Sequence, residues 1–165
     1  MKLLFKQRLF SWLDSYDIYD ENDETVYTVQ GQLSWGHKLV IKDTNGFEIG
    51  MVKEEVLTFL PRFTISLEGQ EIGKIEKELS FFKPKFHIDC LGWQVEGDFF
   101  EWDYAIHDES GKTIAAIYKE VFSWTDTYVL DIENEKDAIY VLMMVLAIDA
   151  AKCSNNGSYL SQNNL

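Results

Sequence analysis

The stretch 46-GFEIGMVKEEVLTFLPRFTI-65 is followed 23 residues later by 69-GQEIGKIEKELSFFKPKFHI-88. Nine positions are identical: Gly46/Gly69, Glu48/Glu71, Ile49/Ile72, Gly50/Gly73, Glu55/Glu78, Phe59/Phe82, Pro61/Pro84, Phe63/Phe86 and Ile65/Ile88. Val52/Ile75, Val56/Leu79 and Arg62/Lys85 are conservative pairs. Such self-similarity means that one supersecondary unit is used repeatedly. Within the unit the chemistry alternates residue by residue. Ile49, Met51 and Lys53 oppose Gly50, Val52 and Glu54, and Ile72, Lys74 and Glu76 oppose Gly73, Ile75 and Lys77. A period of two is that of a strand. Turn signals at Thr44-Asn45-Gly46, Glu68-Gly69 and Glu109-Ser110-Gly111, and the prolines at 61 and 84, make each unit a hairpin. The second strand then starts near Arg62, Lys85 or Thr127. Gly50 and Gly73, inside strands, mark bulges or close backbone approach.

A third copy, Gly111–Leu130, keeps Gly111, Ile114, Ile117, Lys119 and Glu120. It replaces Gly73 by Ala115, Phe82 by Trp124 and Phe86 by Tyr128. A partial fourth copy opens the chain: Phe10–Tyr16 matches Phe122–Tyr128 at five of seven positions. Val29-Gln30-Gly31 echoes Val95-Glu96-Gly97. The chain therefore reads as two related halves, 1–66 and 67–132, with no linker between them. About twelve short strands are expected, the regime of a meandering sheet or barrel.

Asn134 then suits a helix N-cap, and Glu135 and Asp137 suit the positive end of the helix dipole. Ala138–Ile148 is apolar on every face. Those residues span only ~16 Å, about half of a bilayer core. A helix that is hydrophobic all round is buried, and its natural host is the barrel built by the repeats. The expected organisation is a single domain over 1–153, a central helix over about 135–152, and a flexible tail over 154–165. Val141, Leu142, Val145 and Ile148 are expected to be almost fully buried.

The chain has 165 residues and a formal charge of −13. That length makes one domain with a sizeable core. The charge is opposite to that of a generic nucleic-acid binder and disfavours simple adsorption to anionic lipid. Cys90 and Cys153, without metal-like spacing, read as reduced structural thiols of a cytoplasmic protein. Met1–Arg8 has charges inside every apolar run and reads as neither a signal peptide nor an anchor.

Two related β halves followed by one hydrophobic helix, with Gly111–Leu130 running through Asp131–Asp137 into Ala138–Asp149, resemble the tubby C-terminal-like superfamily. Within it, the short single-domain form resembles the LURP-one-related proteins, whose relatives include phospholipid scramblases. The resemblance implies a mainly β fold: a twelve-stranded antiparallel barrel threaded by the last helix. It implies no established enzyme activity. Tubby domains bind phosphoinositide headgroups through clustered Lys and Arg, and no such cluster stands out here. Scramblases carry an acidic calcium segment before the helix. The counterpart Asp131-Ile-Glu-Asn-Glu-Lys-Asp137 lacks the glycine that lets such a loop turn sharply.

Other candidate chemistry has packing explanations. His37, His87 and His107 have no Cys, Asp or Glu at standard metal-ligand spacing. The acidic stretch Asp14–Glu24 lacks the rhythm of a defined cation loop and reads as a solvated connection. Ser11 and Ser123 sit in Phe-Ser-Trp, without the glycines of a nucleophile elbow. Trp93, Phe99, Phe100 and Trp102 read as core or rim packing. Lys53, Arg62, Lys77, Lys83 and Lys85 are the candidate anion or lipid-headgroup patch. The sequence thus points to a non-catalytic cytoplasmic binding or scaffold module with no metal or cofactor. Its partner is a protein or an anionic lipid headgroup. A lipid- or membrane-surface binder is the alternative, and a hydrolytic or metal-dependent enzyme is disfavoured.

Overall fold

The computed structural model describes residues 1–5, 15–78, 85–99, 101–120 and 127–153, without the side chains of Leu33, Lys85, Phe86 and Cys153. Ser11, Asp14, Lys83, Phe100, Ser123 and the expected tail over 154–165 lie outside the described residues. The alternating segments form twelve strands: β1 (Lys2–Phe5), β2 (Ser15–Tyr19), β3 (Thr25–Ser34), β4 (Gly36–Lys42), β5 (Glu48–Glu54), β6 (Arg62–Leu67), β7 (Gln70–Glu78), β8 (Lys85–Cys90), β9 (Gln94–Asp98), β10 (Asp103–His107), β11 (Thr113–Glu120) and β12 (Thr127–Ile132). They make one antiparallel sheet in the order β8-β7-β6-β5-β4-β3-β2-β1-β12-β11-β10-β9. The two edges, β8 and β9, are consecutive in sequence and joined by the turn at Leu91–Trp93. The barrel is therefore nearly closed, with a single seam.

The repeat encodes both a turn and a bend. At three connections an aspartate opens the turn. Asp20 Oδ1 accepts from the amides of Asn22 and Glu24, Asp43 Oδ1 from Asn45 and Phe47, and Asp108 Oδ1 from Ser110 and Lys112, all at 2.8–3.0 Å. Such side-chain-to-backbone bonds are how Asp initiates turns. The amides of Glu24 and Phe47 hold Asp20 and Asp43 below the ordinary aspartate value, and the Ser110 hydroxyl, with the Lys112 amide, does so for Asp108. One or two residues into the following strand the register slips. Ile41 pairs with Gly50 while Lys42 pairs with Glu48, leaving Ile49 as an extra residue. Val26, Ile72 and Ile114 are extra in the same way. A bulge bends its strand and increases local twist, which a sheet needs in order to curl on itself.

Asn134 caps a short 3₁₀ turn, Glu135–Asp137, its side chain accepting from the Lys136 amide at 3.2 Å. The helix α1 (Ala138–Cys153) follows directly. Val141, Leu142, Val145 and Ile148 are fully buried, and so is every other residue from Val141 to Ala151, Asp149 to within a few per cent. The helix packs against β5, β6, β7 and β12. The wall is built to receive it: a Cβ on Gly50 would lie 2.9 Å from Met143 Sδ, so glycine there lets Met143 sit against the strand without shifting. Gly73 instead admits β8, since a Cβ there would meet Asp89 O at 2.3 Å. Trp93 and Trp102 are buried and Phe99 is half-buried, in agreement with their reading as packing residues. The Cys90 thiol is buried and free, and burial raises it to about 11. Among the described residues no helix is long and apolar enough to cross a membrane.

One charged pair closes the far end of the core. Asp149 Oδ1 lies 3.5 Å from Lys152 Nζ. Lys152 also donates to the Phe99 carbonyl and sits 4.4 Å from the centre of the Trp102 ring. The buried Tyr104 and the partly buried Tyr16 have their phenols raised, first by burial and then by the Asp149 charge. Burial raises the Asp149 carboxyl from 3.8 to about 7, against the opposing pull of Lys152.

Two consequences are testable. Leu142→Ala should cost roughly 2–5 kcal/mol, as cavity-forming core substitutions do, and Leu142→Asp should prevent folding by adding an unpaired buried charge; chemical denaturation and circular dichroism read both. Asp149 binds its proton more tightly folded than unfolded. Its contribution to stability is therefore complete below the ordinary aspartate value and is lost as pH rises through about 7. Asp149→Asn should lack this loss, gaining on the wild type by on the order of 3–4 kcal/mol at mildly alkaline pH; urea melts across that range would show parallel curves if Asp149 did not titrate.

Candidate functional site

Alternate connections of an up-and-down sheet leave opposite ends of the barrel. The aspartate turns at 20–24, 43–47 and 108–112 lie at the end where α1 enters. The β3–β4 turn at Trp35 and the β5–β6 loop over 55–61 lie at the other, towards which α1 runs. Here the burial rule inverts. Trp35 is 89% exposed, Leu57 is fully exposed, Phe59 is 92% exposed and Val56 is 43% exposed. At the opposite end Phe47 and Leu91 are exposed singly. Scattered surface hydrophobics are ordinary, whereas a cluster of large ones marks an interaction surface.

The rim is held rigidly at its base. Gly36 has φ +87°, and a Cβ on it would lie 2.8 Å from Val56 Cγ1, so glycine allows the two connections to touch. Glu54 ties them further, accepting from the His37 amide at 3.0 Å and pairing with the His37 ring through the same oxygen. Glu55 closes the β5–β6 loop. Its amide donates to the Arg62 carbonyl at 2.9 Å, and its own carbonyl accepts from Thr58 Oγ1 at 3.1 Å. Its carboxylate accepts from Lys74 Nζ and Thr64 Oγ1, both at 2.8 Å, and from Arg62 Nη1 at 3.3 Å. The Lys74 bond is the main reason the Glu55 carboxyl is held below its ordinary value. Pro61 fixes the loop's exit, its carbonyl accepting from the Lys77 amide at 2.9 Å. Between these anchors Leu57 adopts φ +70°, a left-handed conformation that costs a branched side chain about 1–2 kcal/mol.

Two grooves flank the loop. One of about 390 Å³ is lined by Trp35, Met51, Lys53, Glu54, Glu55, Val56 and Thr64. A smaller one of about 190 Å³ is lined by Thr58, Phe59, Leu60, Arg62, Glu76 and Lys77. The sequence-expected cation patch is thereby divided. Lys53 borders the first groove, while Arg62 and Lys77 border the second. Arg62 is held by Glu55 and Glu76, which offset its charge. Lys77 shares the register face of Ile75, opposite to Arg62, and partial burial lowers its pKa. Lys83 and the Lys85 side chain lie outside the described residues. His37 is taken by Glu54, and His107 Nδ1 lies 3.4 Å from Thr113 Oγ1. Among the described residues no three of His, Cys, Asp and Glu gather as metal ligands would.

Sequence reasoning did not single out Trp35, Leu57 or Phe59. Val56–Leu60 lies inside the repeat, where an apolar run reads as core-facing strand. The available signal was Ser34-Trp35-Gly36, a large aromatic placed directly before a turn glycine. Glu55→Gln should lower the melting temperature at neutral pH. Because the Glu55 pKa is depressed on folding, its contribution is present above the usual value of 4.5 and lost as pH falls below it. The two proteins should therefore melt alike in acid, as a pH series of thermal melts would show.

Similarity to known proteins agrees with this architecture. The chain is 29% identical over 150 residues to the uncharacterised protein YxjI of Bacillus subtilis, the match covering 90% of this chain and 92% of that protein. An Arabidopsis thaliana protein solved by X-ray crystallography superposes with a TM-score of 0.65 at 15% identity, covering 92% of this chain and 90% of that one, and shares its fold. The LURP-one-related family model matches residues 1–149, and the chain belongs to that family.

Proposed function

We propose that the protein is a non-catalytic binding module that engages its partner through the rim formed by Trp35, Val56, Leu57 and Phe59. The observation that supports this reading is the exposure of four large apolar side chains on two connections tied together at their base. Preorganised apolar residues lose little freedom on binding, which is how contact area becomes affinity. The filled interior supports the same reading. The helix occupies the space in which a small-ligand barrel keeps its cavity, so recognition falls to the outside. The titratable groups near the rim are engaged with one another, as in the Glu55 cluster and the His37–Glu54 pair. Nucleophilic or acid–base chemistry needs such groups poised against a substrate.

A photoreactive residue placed at position 57 in the native cell should form adducts, and one at position 44, in an aspartate turn, should not. Equal labelling at both ends, or none at 57, would remove the rim as the working surface. Purified protein should show no turnover on hydrolase and phosphatase substrates, with or without divalent metal; activity lost in a folded His37→Ala variant would overturn the non-catalytic reading. Leu57→Gly should fold normally, with stability equal or raised by up to about 1 kcal/mol because the left-handed strain is relieved, while the adducts at a neighbouring position 59 probe diminish.

A further inference from the structure

Resting on that reading of the rim, we propose that its partner is a lipid–water interface: Leu57 and Phe59 enter the acyl boundary of a zwitterionic phospholipid surface, Trp35 lies at headgroup level, and the barrel stands end-on. Four features carry this. The first is shape. Leu57, Phe59 and Trp35 project almost completely into solvent from the tips of connections, and the grooves lie beside them. Convex apolar tips suit a deformable acyl surface, which needs no matching pocket. The second is composition. Val56-Leu57-Thr58-Phe59-Leu60-Pro61 carries no ionisable side chain. Trp belongs at membrane interfaces, where its ring is apolar and its N–H stays wet.

The third is the handling of charge. The acids at the base of the rim are already engaged, Glu55 with Lys74, Arg62 and Thr64, and Glu54 with His37. Seating the tips therefore strands neither of these two carboxylates. The turns that Asp20, Asp43 and Asp108 open beside Glu21, Glu24 and Glu109 lie at the opposite end, while Glu78, Glu101, Asp103 and Glu120 stand at the rim's end on other strands. A chain of charge −13 is repelled by anionic lipid. Its apolar tips favour a neutral surface, where the charge meets no such repulsion. The fourth is strain. Leu57 holds φ +70° with its side chain in solvent, so the intramolecular contacts give no return for that conformation.

The test is flotation of the full-length chain with phosphatidylcholine vesicles, at low and high salt. The wild type should float at both. Leu57→Asp/Phe59→Asp should reduce the bound fraction by about tenfold or more, since several buried methylene equivalents are lost. Phe47→Asp, at the end of the aspartate turns, should change nothing. Tryptophan emission should shift to the blue on vesicles in the wild type and less so in Trp35→Phe. Circular dichroism and thermal melts would establish that each variant is folded, and Leu57→Gly supplies a mild variant should the double aspartate fail to fold. No flotation would overturn the proposal. So would binding confined to anionic vesicles, abolished by salt and indifferent to Leu57 and Phe59. A rim-dependent dimer without flotation, or protein adducts at position 57 without flotation, would leave the rim as the working surface and show the occupant to be a protein. Absence of both adducts and flotation would overturn both readings.

Discussion

Ala138–Ile148 has no polar face, so every side of this helix must be kept from water. A two-layer packing would cover one stripe of it and leave the rest wet. The solution is a wall that wraps round: twelve strands, joined by eleven ladders into one curled sheet. The wall's details follow from that demand. Bulges recur at Val26, Ile49, Ile72 and Ile114, where hairpins must bend. Gly50 lacks a side chain where Met143 presses on the strand. The polar end of the helix carries the cost of the arrangement, with Asp149 held near neutrality-range titration by burial and Lys152 folded back over Trp102.

Filling the interior with its own chain moves recognition outward, and the hairpin repeat makes the two ends of the barrel chemically different. One end has compact turns organised by Asp20, Asp43 and Asp108, whose carboxylates both shape the backbone and keep that end charged. The other end carries the β5–β6 loop, too long for a tight turn and anchored by a hub on the outer face of the sheet, Glu55. A conformation as unfavourable as that of Leu57 persists only where the surroundings over-determine it. Glu55, Thr58 and Pro61 do so from both sides of the residue. The same architecture at 15% identity in the Arabidopsis protein indicates that pattern, more than particular residues, specifies this fold.

Much of this was legible locally. Alternation over Ile49–Glu54 and Ile72–Lys77 declares strands because successive side chains point to opposite faces. The unbroken apolar run after Asn134 declares a buried helix for an equally local reason. The glycines at 50 and 73 announced close approach, though what approached them, Met143 in one case and β8 in the other, was not written in their neighbours. The extra residue of each bulge also sat in the repeat, as Ile49 and Ile72, yet it became an insertion only once a partner strand supplied the register.

The candidate site was less legible, for a physical reason. Repeat equivalence linked Arg62 with Lys85 and drew attention to positive charge. Cross-strand register then set Glu76 opposite Arg62 and brought Glu55 within reach of Lys74. Val56–Leu60 has the composition of a core strand, and only the left-handed turn at Leu57 between fixed anchors sends its side chains into solvent. Hydrophobic periodicity is a property of the chain and determined the barrel, its plug and its approximate strand count. Charge pairing and exposure are properties of residues distant in sequence, so the Glu55 hub, the seam between β8 and β9 and the apolar rim were decided only when the sheet closed around the helix.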